Sequence, residues 1–368
     1  MLYSGDYVPP SVRQKAQAAL GERAIGLRGE WKIGSEDANH LANRNFCLRF
    51  HPGLYSAIRR LKPDVMICEG FFKWTFPALL NRIAHGTPLV ILYERTFHTE
   101  RHAQRLRTWY RRRVVRWAGA MGCNGRLCRE YTEWLGMPRE KITTGHMAAD
   151  TEHIGEAVKA VPQAARESLR RGMNASNLLF LYVGRLHERK GLMQLLEAWA
   201  EVERLKPNAA SLALVGDGDR MDALQRYCAE RALRNVHFAG RVPYGELPAY
   251  YASADAFVIP TLEDNWSLVV PEAMAAGLPV LCSKYNGCWP ELVQEGANGW
   301  VFDPLDRADT LAALTKAIDG SAALPAMGEC SQRIVQAHSP RAAAESIFRA
   351  CQIALAEPSA AGAQARRS

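Results

Sequence analysis

From residue 178 onward the chain alternates short apolar runs with amphipathic stretches of helical period, and no other feature restricts its fold as strongly. Leu178–Val183, Ser211–Val215, Val236–Phe238, Ala256–Ile259 and Pro279–Cys282 consist mainly of Val, Leu, Ile, Phe and Ala, as strands buried on both faces require. Between the first two, Leu192, Leu195, Leu196, Trp199 and Val202 recur at helical spacing and form one apolar stripe. Repetition of strand and helix predicts a parallel sheet covered by helices, a doubly wound α/β domain. The first half repeats the pattern more faintly, with Asp64–Cys68, Pro88–Tyr93, Ala118–Met121 and Lys141–Ile142 as candidate strands of a second parallel layer.

The length of 368 residues suits two domains at about 100–200 residues each. These are expected over 1–155 and 156–338, with the polar, alanine-rich stretch 155–175 as connection. Ser339 and Pro340 supply an N-cap and first-turn proline for a last helix over about 340–356, expected to pack back on the first domain. Residues 357–368 read as a flexible tail.

Composition removes several function classes. With 48% hydrophobic and 23% charged residues the chain lies far from the disordered regime. The longest apolar run, Leu178–Val183, falls short of the about twenty residues of a membrane span, and no signal segment opens the chain. Nine cysteines, without a C-x-x-C pair, fit neither a disulfide framework nor a zinc finger. The expectation is a cytoplasmic protein with reduced thiols. A net charge of +8 favours an anionic partner: a nucleoside diphosphate, a phospholipid surface or nucleic acid.

Ligands of open parallel sheets bind beyond the carboxyl ends of the strands, so the loops there are the informative ones. After Val183 comes Gly184-Arg-Leu-His-Glu-Arg-Lys-Gly191, in which Arg185 and Lys190 set two cations beside the next helix N-terminus, an arrangement suited to a diphosphate. A solvated basic loop is the plainer reading. After Ile259, Asp264 and Glu272 flank an apolar stretch, and Asn265, Trp266 and Ser267 supply a polar turn. Carboxylates there can cap a helix or accept hydrogen bonds from the paired hydroxyls of a sugar.

These residues resemble the retaining family-4 glycosyltransferases of the GT-B fold, in which two Rossmann-like doubly wound domains face a cleft. The resemblance spans about Leu178 to Asp306 and rests on G-R-L-x(4)-K-G, L-V-G-D-G at 214–218, H-F-A-G-R-V at 237–242, the acidic motif and N-G-x-x-P-E-L-V at 286–293. It implies that Arg185 and Lys190 hold the donor diphosphate, that Glu272 holds the nucleotide ribose, and that Asp264 holds the transferred sugar. Asp264 stands where the family's E-x(7)-E motif has its first glutamate, with Glu263 just before it. Gly184, Gly216, Arg241, Val242, Asn265, Trp266, Ser267 and Leu268 join the donor-site set with Glu263. The implied reaction moves a sugar from a nucleoside diphosphate sugar to a hydroxyl acceptor, in polysaccharide or glycolipid assembly, with neither metal nor cofactor.

The amino-terminal half is less typical. It opens at Met1-Leu-Tyr-Ser-Gly5, which matches the second strand of the family pattern. The expectation is therefore either a short strand in an abbreviated sheet, with Gly5 at its carboxyl end facing the cleft, or an upstream segment absent from this sequence. Glu94-Arg95 replaces the histidine that often follows the strand ending at Tyr93, and His98 is the nearby acceptor-side candidate. From His98 to Trp117 seven arginines face one acid, with Trp109, Tyr110 and Trp117 interleaved. Arg105, Trp109, Arg112 and Arg113 are the candidates for contact with the inner face of an anionic membrane carrying a lipid-linked acceptor. The alternatives are a helix with its aromatics inward, a nucleic-acid-binding surface, for which no motif is present, and a catalytically inactive family member.

Overall fold

Leu2–Ser4 (β1) pairs in parallel with Ile25–Leu27 (β2), and Trp31–Gly34 (β3) pairs antiparallel with Cys47–Phe50 (β4). Met66–Glu69 (β5), Leu89–Tyr93 (β6), Ala120–Cys123 (β7) and Ile142–Thr144 (β8) form a four-stranded parallel sheet in that order. The computed structural model describes residues 1–34, 47–175 and 177–356; the expected tail 357–368 lies outside the described residues. β1 is the short strand that the sequence suggests. Leu2 and Leu27 pack on the core of the four-stranded sheet, although β1 hydrogen-bonds within a separate two-stranded sheet.

The second sheet has six parallel strands: Leu178–Val183 (β9), Ala210–Val215 (β10), Val236–Gly240 (β11), Ala256–Ile259 (β12), Val280–Ser283 (β13) and Gly299–Phe302 (β14). Their order, β11-β10-β9-β12-β13-β14, reverses between β9 and β12. At that switch point the connections leave to opposite sides, opening a crevice at the strands' carboxyl ends. Every residue of β10 is buried. The Leu192–Leu205 helix turns Leu192, Leu195, Leu196, Ala198, Trp199 and Val202 inward, and the Trp199 ring meets Phe180 of β9 edge-on at 5.5 Å. Such a pair adds packing beyond its area burial.

The expected boundary at 155/156 falls within the Thr151–Lys159 helix, whose Ile154 and Val158 belong to the core of the second sheet. The hydrophobic spacing of that helix, not the polar composition around it, decides which domain it joins. The Pro340–Ala356 helix lays Ala350, Cys351 and Ala354 on Val90 and Ala120 of β6 and β7. Ser339 Oγ accepts from Ala342 N at 3.3 Å at its start. The chain thus returns to the first domain after completing the second.

Candidate active site

The loops after β9 and β10 are locked together by backbone. Gly184 N donates to Val215 O at 2.9 Å, and Leu186 N to Asp217 O at 3.0 Å. At Gly216 φ is +139°, and a Cβ would lie 1.8 Å from Gly184 O, so no other residue fits. Gly191 does the same on the other flank, where φ is +67° and a Cβ would lie 2.0 Å from Pro260 O. These contacts press the β9 loop against the β12 loop and begin the Leu192–Leu205 helix at the crevice, with no side chain capping its first turn. Lys190 Nζ lies 2.5 Å from Asp264 Oδ2. Arg185 is exposed, and among the described residues its guanidinium pairs with no carboxylate.

Asp264 holds its own turn. Oδ1 accepts from Trp266 N at 3.1 Å and Oδ2 from Ser267 Oγ at 2.6 Å, while its carbonyl accepts from Gly287 N at 2.9 Å. The following helix starts only at Val269 with Leu268 at its N-cap, so Asp264 does not cap it. Burial acts to raise the Asp264 pKa, but the Lys190 ammonium and these hydrogen bonds prevail and hold it below the usual aspartate value. Glu272 is buried and accepts from Tyr251 Oη at 2.9 Å and Tyr244 Oη at 3.1 Å. Burial pushes its carboxyl above the ordinary glutamate value, against the opposing pull of the two hydroxyls.

The first domain reaches this constellation directly. His98 Nε2 bonds Leu262 O at 2.8 Å, and its ring stacks on Tyr285 with centroids 4.4 Å apart. Burial lowers the His98 pKa, so at neutral pH the ring is uncharged and Nε2–H is the donor. Arg101 pairs with Glu263 at 2.7 Å, and Glu263 has Arg189 on its other side at 3.9 Å. Asn124 Nδ2 donates to Asn265 O at 3.0 Å and to Glu94 O at 3.3 Å. Arg126 N donates to Glu291 Oε1 across the same seam. Glu94 follows β6 directly; burial raises its pKa, and repulsion from Glu69 and Asp264 adds to the effect. Two β/α domains thus converge on one loop, Leu262–Ser267, with a lysine, an aspartate and a tyrosine-held glutamate around it.

Two family models match the chain in succession: Glycosyltransferase Family 4 over residues 27–153 and Glycosyl transferases group 1 over residues 166–333. The chain belongs to the group 1 glycosyltransferases of the GT-B fold. Among curated relatives, an uncharacterized glycosyltransferase of Methanocaldococcus jannaschii is 36% identical over 133 residues, 36% of this chain and 33% of that one. The GDP-mannose-dependent alpha-(1-6)-phosphatidylinositol monomannoside mannosyltransferase of Mycolicibacterium smegmatis is 36% identical over 132 residues, 34% of each chain. The match thus spans about a third of the length of these curated relatives. Among solved structures, Anabaena HepE in complex with UDP superimposes with a TM-score of 0.72 at 17% identity, covering 91% of this chain and 88% of that one. Sucrose-phosphate synthase from Thermosynechococcus elongatus gives 0.66 at 19% identity, covering 92% and 91%. At these identities the structures speak for the fold.

Within this GT-B chain the expected donor-side residues fall on one edge of the six-stranded sheet. Gly184, Arg185 and Lys190 follow β9, Gly216 follows β10, Arg241 and Val242 follow β11, and Glu263 through Glu272 follow β12. Arg241 is exposed and Val242 packs on the core. Asn265 Oδ1 and Trp266 Nε1 are buried without a protein partner, while Leu268 stays 37% exposed. His98 joins this edge from the first domain. Gly5 does not: its hydrogen bonds, with Leu27 and Arg13, and its near neighbour Arg28 all lie in the first domain. Arg105, Trp109, Arg112 and Arg113 sit on the outside of that domain, all exposed. The expectation of inward aromatics on this helix holds only for Tyr110, and Arg111 is the arginine that turns inward, bidentate to Glu100 at 2.8 Å. Sequence reasoning missed Tyr244, Tyr251 and Asn124, and it gave no role to Glu291, the acid of N-G-x-x-P-E-L-V.

Proposed function

We propose that the chain transfers a sugar from a nucleoside diphosphate donor to a hydroxyl acceptor with retention of anomeric configuration. The observation that carries this is the Lys190–Asp264 pair beside exposed Arg185, at the switch point of the parallel sheet. As the bond between the anomeric carbon and the diphosphate breaks, charge grows on the phosphate oxygens. Arg185, Lys190 and the free amides opening the Leu192–Leu205 helix would stabilise that charge most in the transition state. Lys190 then exchanges Asp264 for phosphate. Asp264, ionised at neutral pH, accepts hydrogen bonds from the sugar and offsets the positive charge developing at the anomeric carbon. Glu272, aimed by Tyr244 and Tyr251, accepts from the ribose hydroxyls. With two protein cations for the leaving group, the reaction needs no divalent metal.

The acceptor hydroxyl enters from the first domain, past His98 and Glu94, and a lipid-linked saccharide at the cytoplasmic membrane face fits the basic outer helix. HepE is known in complex with UDP and with UDP-glucose, and the mycobacterial relative is GDP-mannose-dependent, so sugars of these two nucleotides are the first donors to try. The test is release of nucleoside diphosphate from each donor, with and without chelator, followed by the anomeric configuration of the product by proton NMR. Retention at an undiminished rate in chelator supports the reading. Inversion overturns the stereochemistry, loss of turnover in chelator overturns metal independence, and binding without turnover identifies an inactive member.

A further inference from the structure

The loop that carries His98 to the second domain is gripped from behind by a buried ion pair that the transfer chemistry does not use. Residues 96–101 close on themselves: Glu100 N donates to Thr96 O at 3.1 Å, and Thr96 and Thr99 each donate N–H to the other's Oγ1, at 2.9 and 3.2 Å. Thr96, Thr99 and Glu100 are buried. His98 and Arg101 reach the other way, to Leu262 O at 2.8 Å and to Glu263 at 2.7 Å. Glu100 meets Arg111, the inward arginine of the Arg105–Val115 helix, whose two terminal nitrogens donate at 2.8 Å, one to each carboxylate oxygen. Tyr131 Oη accepts from the same guanidinium at 3.1 Å, and the Phe97 ring meets the Tyr131 ring edge-on at 5.1 Å.

Stability does not account for this pair. Side chains 3% and 1% exposed have given up their water, and a buried ion pair makes up that loss only when its remaining polar groups are also satisfied; apolar residues of similar volume often serve a fold as well or better. Here Arg111 Nε is buried without a partner, and so is Tyr93 Oη, on the ring that lies 5.8 Å from the guanidinium. What the charges add is direction. Two parallel hydrogen bonds from a planar fork admit one orientation of the carboxylate. Glu100 passes that orientation to Arg101 beside it and, through Thr99, to His98. These two side chains hold Leu262 and Glu263, the residues that lead into Asp264 along the chain.

We propose that Glu100 and Arg111 are positioning residues for the sugar transfer: their bidentate contact fixes the 96–101 turn, and the turn presents His98 and Arg101 to the loop that carries Asp264. The inference rests on the transfer proposed above and assigns to it the part of the first domain that sets the geometry of a carboxylate in the second. Both side chains are buried, so neither meets a substrate, and they act through the turn. A misplacement of about 1 Å at a reacting group costs about a hundredfold in rate, so a pair remote from the chemistry can govern turnover.

The test compares the wild-type chain with Glu100→Leu plus Arg111→Met, which removes both charges, and with Arg111→Lys, which keeps the charge and loses the fork. Calorimetry with UDP and GDP reads the second domain, release of nucleoside diphosphate reads turnover, and proton NMR follows the His98 ring, assigned by its loss in His98→Gln. The double variant is expected to melt within a few degrees of wild type and to bind nucleoside diphosphate equally, while turnover falls about tenfold to a hundredfold. In wild type, burial and Arg101 hold the His98 pKa below the ordinary 6.5, against Leu262 O, Glu263 and Asp303. Released into solvent, the ring should titrate upward toward that ordinary value. Arg111→Lys should move both readouts part of the way, and it decides alone if the double variant does not fold. The proposal is overturned if a folded variant keeps wild-type turnover, if its His98 titration does not move, or if its loss of turnover is matched by an equal loss of nucleotide affinity. A wild-type chain that neither binds nor turns over sugar nucleotides would instead sink the enzymatic reading, and the His98 titration would still decide the positioning.

Discussion

Replacing Asp264 by Asn keeps the shape of the Leu262–Ser267 loop and removes the charge that holds Lys190. The lost contact is a charge-assisted hydrogen bond of 2.5 Å between side chains 24% and 16% exposed, worth about 1.5–3 kcal/mol. A domain of this size loses about 2–4 °C of melting temperature per kcal/mol, so a drop of about 3–12 °C is expected near neutral pH. The sign with pH follows from Asp264 titrating below its ordinary value of 3.8 in the folded protein. Its stabilisation is fully present above the unfolded value and is lost as pH falls through the folded one. Thermal unfolding of wild type and Asp264→Asn should therefore diverge at pH 7 and draw together as pH falls below the ordinary aspartate value of 3.8, with Lys190→Met as the partner in a double-mutant cycle. Equal melting temperatures at pH 7, or a gap that widens in acid, would refute the pair as a stabilising contact. Turnover should fall about a hundredfold or more even at temperatures where the variant is fully folded.

Three other substitutions probe separate parts of the site. Glu272 titrates above its ordinary 4.5, so donor affinity should weaken in mild acid where a free glutamate would still be charged. Glu272→Gln should bind donor weakly at every pH, by about 1.5–3 kcal/mol, and an unchanged pH profile would exclude its contact with the ribose. Tyr251→Phe removes one of the two hydroxyls aiming that carboxylate and should raise the donor dissociation constant about fivefold to tenfold, the equivalent of about 1–1.5 kcal/mol, as titration calorimetry reads. Gly216→Ala sets a methyl 1.8 Å from Gly184 O at a φ of +139°, so it should destabilise by more than about 2 kcal/mol, and a wild-type denaturation midpoint would contradict the close approach.

The second domain was legible because its strands are continuous apolar runs and Trp199 and its neighbours keep strict helical spacing. β14 was not, since Gly299–Phe302 is an edge strand whose one strand neighbour among the described residues is β13, and it is half-exposed at Trp300 and Val301. β1 to β4 are short and paired outside the main sheets, leaving too few residues for a period to show. At the site, Arg185, Lys190, Asp264 and Glu272 announce themselves as charges at strand ends. Tyr244 and Tyr251 come from a different connection, between β11 and β12, and only the folded chain brings them to Glu272. Adjacent Glu263 and Asp264 look interchangeable in sequence. The backbone sends one to Arg101 and Arg189 and the other to Lys190, a distinction that depends on the first domain docking where it does.

Lys190 and Arg185 holding a leaving diphosphate is the claim on which the rest depends, and calorimetric titration with UDP, GDP and ADP in the presence of chelator tests it most directly. One of the three should bind wild type without metal. Lys190→Ala and Arg185→Ala should each weaken that binding by about 1.5–3 kcal/mol at temperatures where both remain fully folded, with Lys190→Ala losing melting temperature as Asp264→Asn does because it removes the same contact. Binding that survives both substitutions unchanged, or that appears only when a divalent metal is restored, would contradict the account.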